Sequence, residues 1–340
     1  MFNNACYLIY SMADKKHILV TGGAGLIGSH ICKKIVEEGE YTLVIVDLFI
    51  QYISPIKQTY SENRYARFAG IEDKVIIERA NCANYAVMYD LIEKYKPEYI
   101  IHLAALPLAK INSTTPDDFR EGTVDATANI LHIIYSLKQK GADFVKKFVY
   151  TSSSMVYGNF VEDPIKESSA TNPISVYGTM KLAGEIVTNG LCATYDLPYA
   201  IIRPSAVYGP TDMNRRVTQI FVENAMQGKK LIVMGGEEEK LDFSYVTDVA
   251  NGFVLAMKSD ISGETFNVTG GNAQSLLDFA KLVKNHFPET EIEIQKREKG
   301  RPTRGGLDIS KAKELLGYSP KYDIKKGVNE YIEHLKKKKN

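Results

Sequence analysis

A short apolar run that leads straight into a glycine-rich segment places the strongest constraint on how this 340-residue chain can fold. Residues 17–21 (HILVT) have the β-branched bias of a buried strand, residues 22–28 read GGAGLIG, and residues 29–38 have the apolar spacing of a helix. A strand, a glycine turn and a helix start in this order present backbone N–H groups and the positive end of a helix dipole to a pyrophosphate. The pattern predicts a dinucleotide-binding unit.

An acidic residue follows the next predicted strand. Residues 42–46 (TLVIV) read as a buried strand, and Asp47 comes directly after them, roughly 20 residues beyond the glycines. An acid at that distance hydrogen-bonds the ribose hydroxyls of the adenosine half, and its charge repels a ribose phosphate. The sequence therefore predicts NAD, rather than NADP, as the cofactor.

The alternation of apolar runs and helical patterns predicts the fold class. Strand-like and helical segments in alternation indicate a Rossmann-type, doubly wound parallel sheet with helices on both faces. Beyond Pro204 the strands become short and the spacing irregular, which predicts a smaller C-terminal α/β substrate lobe. The predicted organisation is an N-terminal extension (1–14), an NAD-binding domain (15–203) and a mainly substrate-binding lobe (204–340) with segments that return to the main sheet.

A tyrosine and a lysine four residues apart predict proton chemistry. Tyr177 and Lys181 lie one turn apart on one face if residues 176–194 are helical. The pKa of a free phenol is about 10, and a nearby lysine cation lowers it. A serine at the end of a preceding strand could hold a substrate oxygen beside the phenol. This set can take a proton from an alcohol while a hydride leaves the same carbon.

Composition limits the remaining classes of function. The formal net charge is +1 with acids and bases intermixed, so charge gives no reason to expect nucleic-acid or membrane binding. The four cysteines have neither metal-ligand nor disulfide spacing and suit a reducing cytoplasm, so no metal site is predicted. Residues 1–14 lack the basic start of a secretory signal. We expect a cytoplasmic enzyme.

Several motifs in the same order make the chain resemble the extended short-chain dehydrogenase/reductase family, which includes the NAD-dependent nucleotide-sugar epimerases and dehydratases. The resemblance covers Lys16 to about Leu335. The motifs are TGGAGLIG (21–28), HLAA (102–105), SSSMVYG (152–158), YGTMK (177–181), RPSAVYGP (203–210), DFSYVTD (242–248) and DISKAK (308–313). The resemblance implies a homodimer that forms through a four-helix contact of residues 117–138 and 176–194.

The resemblance also implies roles for individual residues. Ser153, Tyr177 and Lys181 are expected to be catalytic, and Lys181 is also expected to hydrogen-bond the nicotinamide ribose. His102 and Tyr157 are expected to be packed core residues rather than catalytic groups. The other expected cofactor contacts are Gly22, Gly25, Leu26, Ile27, Gly28, Asp47 and Ala104, and the expected substrate contacts are Ser154, Arg215, Arg216, Arg301 and Arg304.

Two positions after Ser153 separate the reactions of this family. Dehydratases carry Asp and Glu there, which donate and abstract the protons that expel water, and decarboxylases keep the Glu. Here the positions hold Ser154 and Met155, and methionine exchanges no proton at neutral pH. We therefore expect an epimerase acting at C4 of a UDP- or GDP-hexose through a transient 4-keto intermediate. An NAD-dependent oxidoreductase, a decarboxylase, a 4,6-dehydratase and a non-catalytic NAD-binding regulator remain alternatives.

Two departures from the 4-epimerases concern the diphosphate. A polar Asn of those enzymes is replaced by Ala206, and their diphosphate-binding Arg is replaced by Leu241. We expect the four candidate arginines to compensate, because the guanidinium fork suits bidentate phosphate binding.

Overall fold

The computed structural model describes residues 16–39, 41–49, 66–106 and 115–337, so the predicted extension 1–14 lies outside the described residues. The strands are β1 (His17–Thr21), β2 (Thr42–Asp47), β3 (Val75–Arg79), β4 (Tyr99–His102), β5 (Lys147–Thr151), β6 (Tyr199–Arg203), β7 (Val207–Tyr208), β8 (Leu231–Met234), β9 (Lys240–Asp242), β10 (Ser244–Tyr245), β11 (Glu264–Asn267), β12 (Ala273–Ser275) and β13 (Ile292–Gln295). Seven of them form one sheet in the order β11-β6-β5-β4-β1-β2-β3, and every neighbouring pair is parallel.

The helices cover both faces of this sheet, which confirms the predicted doubly wound α/β fold. They are α1 (Leu26–Glu38), α2 (Tyr85–Tyr95), α3 (Pro116–Arg120), α4 (Ala126–Gln139), α5 (Val176–Tyr195), α6 (Val217–Met226), α7 (Val246–Lys258), α8 (Leu276–His286), α9 (Ser310–Leu316) and α10 (Ile324–Lys337). A π-helical segment, Glu121–Asp125, joins α3 to α4.

The core explains why the strands are almost wholly apolar. Side chains alternate along a strand, so Ile18 and Val20 of β1 pack with α1 and α7 while Leu19 packs with α2 and α4 on the opposite face. A parallel sheet covered on both faces has no polar face, and its strands lose the alternation of apolar and polar residues. Burial of these strands between two helical layers keeps their ends in fixed positions.

The chain beyond Pro204 contributes a further core that is rich in aromatic residues. Tyr208, Phe243, Phe279 and Tyr331 are all buried, and the rings of Phe243 and Phe279 lie 5.0 Å apart. This part of the chain also contains two-stranded pairs that include β7, β9 and β12. Sequence analysis missed these three strands because they are only two or three residues long, too short for a period of two to be recognised.

Strand order places a crevice at the carboxyl ends of β1 and β4. From β1 the chain moves outward to β2 and β3, then returns to β4 on the other side of β1. In open α/β sheets the ligand lies at such a switch point, beyond the carboxyl ends of the strands. The residues at these ends, Gly22 after β1 and Leu103 after β4, therefore border the expected ligand site.

Candidate active site

The glycine turn after β1 can bring its backbone close to a ligand. Gly22 has φ of +68°, and a Cβ atom there would lie 2.8 Å from the backbone nitrogen of Ala104. A Cβ on Gly28 would lie 2.6 Å from the carbonyl oxygen of Gly22. Gly25 is the N-cap of α1 and makes no side-chain cap, while Leu26 and Gly28 are buried in its first turn. Only glycine fits at positions 22 and 28, and the compact turn leaves backbone N–H groups for a pyrophosphate.

Asp47 lies beside this turn. It is 9% exposed; its Oδ2 atom accepts a hydrogen bond from the Ala24 N–H at 3.1 Å, and Oδ1 accepts one from the Phe49 N–H at 2.8 Å. These bonds fix the carboxylate at the end of β2, next to the glycine turn. The position suits an acid that binds ribose hydroxyls, as predicted from its spacing.

The end of β4 is tied to the end of β1 by a polar chain. The N–H of Ala104 donates to the hydroxyl of Thr21 at 3.2 Å, and that hydroxyl lies 2.7 Å from Nδ1 of His102. Burial lowers the pKa of His102 to about 3, so the ring is neutral at physiological pH. His102 is a core residue, as expected, although its Nε2 atom has no hydrogen-bond partner among the described residues.

The three candidate catalytic side chains come together at the end of β5. Ser153 follows this strand, and the Ser154–Tyr157 turn begins directly after it. Tyr177 lies in the first turn of α5, where the Ser153 side chain acts to lower its pKa. Lys181 lies one turn further along α5 and donates from Nζ to the carbonyl oxygen of Thr151 at 2.7 Å. The helix begins here because the Ser175 hydroxyl accepts from the Gly178 N–H at 3.1 Å.

Burial and two neighbouring side chains set the electrostatics of Tyr177. Burial raises the pKa of Tyr177, and the positive charge of Arg216 and the side chain of Ser153 offset part of this rise. The effect of Lys181 on the pKa of Tyr177 stays a prediction. Burial also lowers the pKa of Lys181 to about 7, against the opposing influence of Glu185, and its ammonium group points to Thr151.

Two of the four predicted arginines lie near this set. Arg216 is the N-cap of α6, donates to the carbonyl oxygen of Val207 at 3.1 Å and acts electrostatically on Tyr177. Arg304 lies with Nη1 3.9 Å from the sulfur of Met155, two residues beyond Ser153. Burial lowers the pKa of Arg304. Both cations are therefore close to where a substrate would react.

The other predicted substrate residues lie differently. Arg215 is exposed, with φ of +49°, and its backbone N–H donates to Gln219 at 2.7 Å. Arg301 has a side chain that is 40% exposed and pairs with Glu298 at 2.7 Å. Ser154 is buried within the turn after β5. The structure does not bring Arg215 or Arg301 into contact with the three candidate catalytic side chains.

Sequence analysis missed several buried charges. Glu239 is 2% exposed and lies between Arg297, at 2.8 Å, and Arg304, at 3.5 Å. It belongs to the run Glu237–Glu238–Glu239, which looks like an exposed acidic loop and carries no signal of burial. Arg67 links the glycine turn to the loop before α6 through the carbonyl oxygens of Ala24 and Thr211. No local pattern indicates either contact, because their partners are distant in sequence.

Glu185 is a further missed residue, and here a signal was available. It lies four residues after Lys181, on the face of α5 that also carries Tyr177. Its carboxylate is buried and accepts two hydrogen bonds from Arg203.

Within the described part of the chain, no helix is long and apolar enough to cross a membrane, and no cluster of His, Cys, Asp or Glu could hold a metal ion.

Comparison with known proteins gives a consistent result. A model of the NAD dependent epimerase/dehydratase family matches residues 18–269. UDP-glucose 4-epimerase of Mycolicibacterium smegmatis is 30% identical over 325 residues, which cover 94% of this chain and 98% of that protein. dTDP-D-glucose 4,6-dehydratase of Homo sapiens is 27% identical over 326 residues, which cover 94% of this chain and 89% of that protein.

Solved structures lead to the same family. The crystal structure of UDP-glucuronic acid 4-epimerase from Bacillus cereus, in complex with UDP-glucuronic acid and NAD, is 26% identical and matches with a TM-score of 0.84, covering 94% of this chain and 99% of that one. The glycine turn and Asp47 fit the cofactor that this family uses. The chain therefore belongs to the NAD-dependent epimerase/dehydratase family and is an enzyme whose cofactor is NAD.

Proposed function

We propose that this protein is a nucleotide-sugar 4-epimerase acting on a nucleoside-diphosphate hexose through a transient 4-keto sugar. One observation carries the proposal: Ser153, Tyr177 and Lys181 are brought together, while Met155, which has no titratable group, lies in the turn that follows Ser153. This arrangement supports oxidation of an alcohol and return of the hydride, but provides no second acid/base pair for elimination. The 4-epimerases among the relatives support the same reaction.

Each side chain has a defined task in this proposal. Bound NAD⁺ supplies the hydride acceptor. Tyr177 accepts the proton of the sugar hydroxyl as a phenolate and becomes a phenol, and the positive charge of Arg216 favours the phenolate form because it lowers the pKa of the phenol. Ser153 holds the reacting oxygen beside Tyr177. Lys181 is positioned by Thr151 to hydrogen-bond the nicotinamide ribose.

In this proposal, the two regions of the chain bind different ligands. The region 15–203 supplies the glycine turn and Asp47 for NAD, and the region 204–340 supplies most of the substrate contacts. Arg216 and Arg304 are the best placed cations for the diphosphate, because each contacts or acts on a residue of the candidate catalytic region. They compensate for the apolar Leu241, which is buried in the core of the lobe.

A 4,6-dehydratase is the second candidate, because dehydratases are among the relatives. The acids that could replace the missing pair follow the catalytic turn, but each is already engaged. Glu162 accepts from the Ser169 hydroxyl, Asp163 accepts from the Gly306 N–H at 2.7 Å, and Glu167 accepts from the Asn267 N–H at 2.8 Å. These bonds favour a structural role for the three acids and support epimerisation.

The cellular setting is also part of the proposal. We expect a cytoplasmic homodimer formed through α4 and α5. These helices pack against each other, and Tyr135 of α4 stacks on Tyr195 of α5 at 4.2 Å. Ile186 of α5 is 63% exposed. Burial of Ile186 against a second copy would remove this apolar surface from water.

The proposed reaction is tested by incubating the protein with a panel of UDP-, GDP- and dTDP-sugars. Epimerisation gives a product of unchanged mass with altered coupling constants of the sugar ring, measured by mass spectrometry and NMR. The control is the same incubation without enzyme. A net change in NADH, or a product lighter by CO₂, would replace the epimerase by an oxidoreductase or a decarboxylase.

Cofactor preference gives a separate prediction. NAD is expected to bind about 10- to 100-fold more tightly than NADP, because a ribose phosphate would meet the Asp47 carboxylate and lose a charge-assisted hydrogen bond. Calorimetric titration with both cofactors measures the ratio. The matched variant Asp47→Asn removes the negative charge and keeps the shape of the side chain. It should bring the affinities for NAD and NADP closer together. A ratio that is the same in the variant would show that Asp47 does not contact the ribose.

A further inference from the structure

A buried carboxylate that the proposed reaction does not use lies one turn beyond Lys181. Glu185 is 3% exposed and shares the helical face of Tyr177 and Lys181. We propose that Glu185, held by Arg203, is a positioning residue: it anchors the segment that carries Ser153 and keeps a negative charge beside the Lys181 ammonium group. The proposal rests on the proposed function, since it concerns the same candidate catalytic set.

Three consecutive residues, from the last residue of β5 onward, interact with three consecutive turns of α5. The carbonyl oxygen of Thr151 accepts from Lys181 at 2.7 Å, and the Ser153 side chain interacts with Tyr177. Between them, the Ser152 hydroxyl donates to the Glu185 carboxylate. Ser152 is 1% exposed, so this bond is shielded from water and fixes the segment from inside the protein. Ser153 is therefore positioned by the two residues that precede it.

Arg203 holds the carboxylate in a single orientation. Its Nε and Nη2 atoms donate to the two oxygens of Glu185 at 2.8 and 2.7 Å, a bidentate geometry. Its Nη1 atom donates to the Tyr157 hydroxyl at 3.0 Å, and Tyr157 in turn donates to Asn267 at 2.8 Å. The guanidinium group is thus fixed by β6, the turn after Ser153 and β11. This network makes the position of Glu185 rigid.

The Glu185–Arg203 pair supplies the charges that act on Lys181 at neutral pH. Burial makes His102 neutral and raises the pKa of the Cys82 thiol to about 12. Burial likewise raises the pKa of Tyr150, whose ring centre lies 5.4 Å from the Lys181 ammonium, and of Tyr177. The groups that interact with Lys181 from the surrounding elements are Cys82 after β3, His102 of β4, Tyr150 of β5 and Glu185 of α5, and Arg203 of β6 pairs with Glu185.

Removal of one member of the pair therefore changes the charge next to Lys181. In Glu185→Gln the Arg203 cation loses its counter-charge, and the positive field lowers the pKa of Lys181. In Arg203→Gln the Glu185 carboxylate is left unpaired, and the pKa of Lys181 rises. If the pair had only a structural role, both variants would change in stability, and the pKa of Lys181 would stay the same.

The titration can be measured without turnover. Lysines labelled with ¹³C at Cε are followed by NMR over a pH series, and the signal missing in Lys181→Met assigns Lys181. We expect Glu185→Gln to lower the pKa of Lys181 by about 1, Arg203→Gln to raise it, and the double variant to return it towards the wild-type value. An identical pKa in the wild type and in both single variants would overturn the electrostatic half of the proposal.

The Ser152→Ala variant tests whether Glu185 anchors the segment that carries Ser153, and this test remains if Glu185→Gln does not fold. It removes the hydroxyl and leaves both charges in place. We expect kcat to fall about 5-fold, the effect of one hydrogen bond, with KM and the pKa of Lys181 unchanged. An unchanged kcat would overturn anchoring. If the wild-type protein epimerises no sugar, the proposed function fails, whereas the NMR titration still decides the role of Glu185.

Discussion

Replacement of Tyr177 by phenylalanine is expected to lower kcat by about 10²–10⁴-fold, the usual contribution of a positioned general base. The ring is retained, so its contact with Phe119, whose ring centre lies 6.3 Å away, can persist. Only the hydroxyl that interacts with Ser153 is lost. Initial rates of epimerisation over a range of substrate concentrations measure kcat and KM separately, and calorimetry with NAD checks that the cofactor still binds.

Tyr195→Phe is the matched control for this variant. Tyr195 lies at the other end of the same helix, where its hydroxyl is 3.3 Å from His132, and the substitution is chemically identical. We expect wild-type turnover in this control. Near-wild-type turnover by Tyr177→Phe would remove Tyr177 from the mechanism.

Ser153→Ala should cost roughly 1.5–3 kcal/mol of transition-state stabilisation, which is the contribution of one charge-assisted hydrogen bond.

No water-loss product is expected from any sugar nucleotide. Elimination after oxidation requires a positioned acid and a positioned base, each worth about 10²–10⁴-fold, and Ser154 and Met155 occupy their places. The Met155 sulfur instead faces Arg304 at 3.9 Å. Mass spectrometry of incubations with dTDP-glucose, UDP-GlcNAc and GDP-mannose should therefore show no product lighter by one water.

This negative result is informative only if the enzyme is active. The same samples should show the epimerised sugar by NMR for at least one member of a wider panel, which serves as the internal control. A water-loss product formed at ordinary enzymatic rates would restore the dehydratase alternative. Glu162, Asp163 and Glu167 would then be the first acids to replace, one at a time, by their amides.

Much of the fold could be predicted because its signals are local. Strand β1, the glycine turn and α1 follow one another within 22 residues, from His17 to Glu38, and each has its own pattern. The remaining strands of the sheet that precede Pro204 are apolar runs on the expected segments. Topology rules then supply the parallel order, since a right-handed crossover is strongly preferred. The short strands of the C-terminal lobe carry too few residues for such a pattern.

Part of the candidate site could also be predicted from local signals. Tyr177 and Lys181 share a helix, so their spacing alone places them together. The cation that acts on Tyr177 was not predictable, because Arg215 and Arg216 are adjacent in sequence and only the backbone of the loop before α6 decides which one turns inward. Arg215 takes φ of +49° and is exposed, while Arg216 acts on the phenol.

The sequence by itself determined the sheet class, the cofactor turn with Asp47, and the Tyr177–Lys181 pair, because each depends on residues close together in the chain. Only the tertiary structure decided which charges are buried. Glu239 meets Arg297 and Arg304 from 58 and 65 positions away, and Glu185 meets Arg203 from a different element. The free energy of a charge depends on its burial and on the partner opposite it. Neither quantity is encoded in the few residues around that charge.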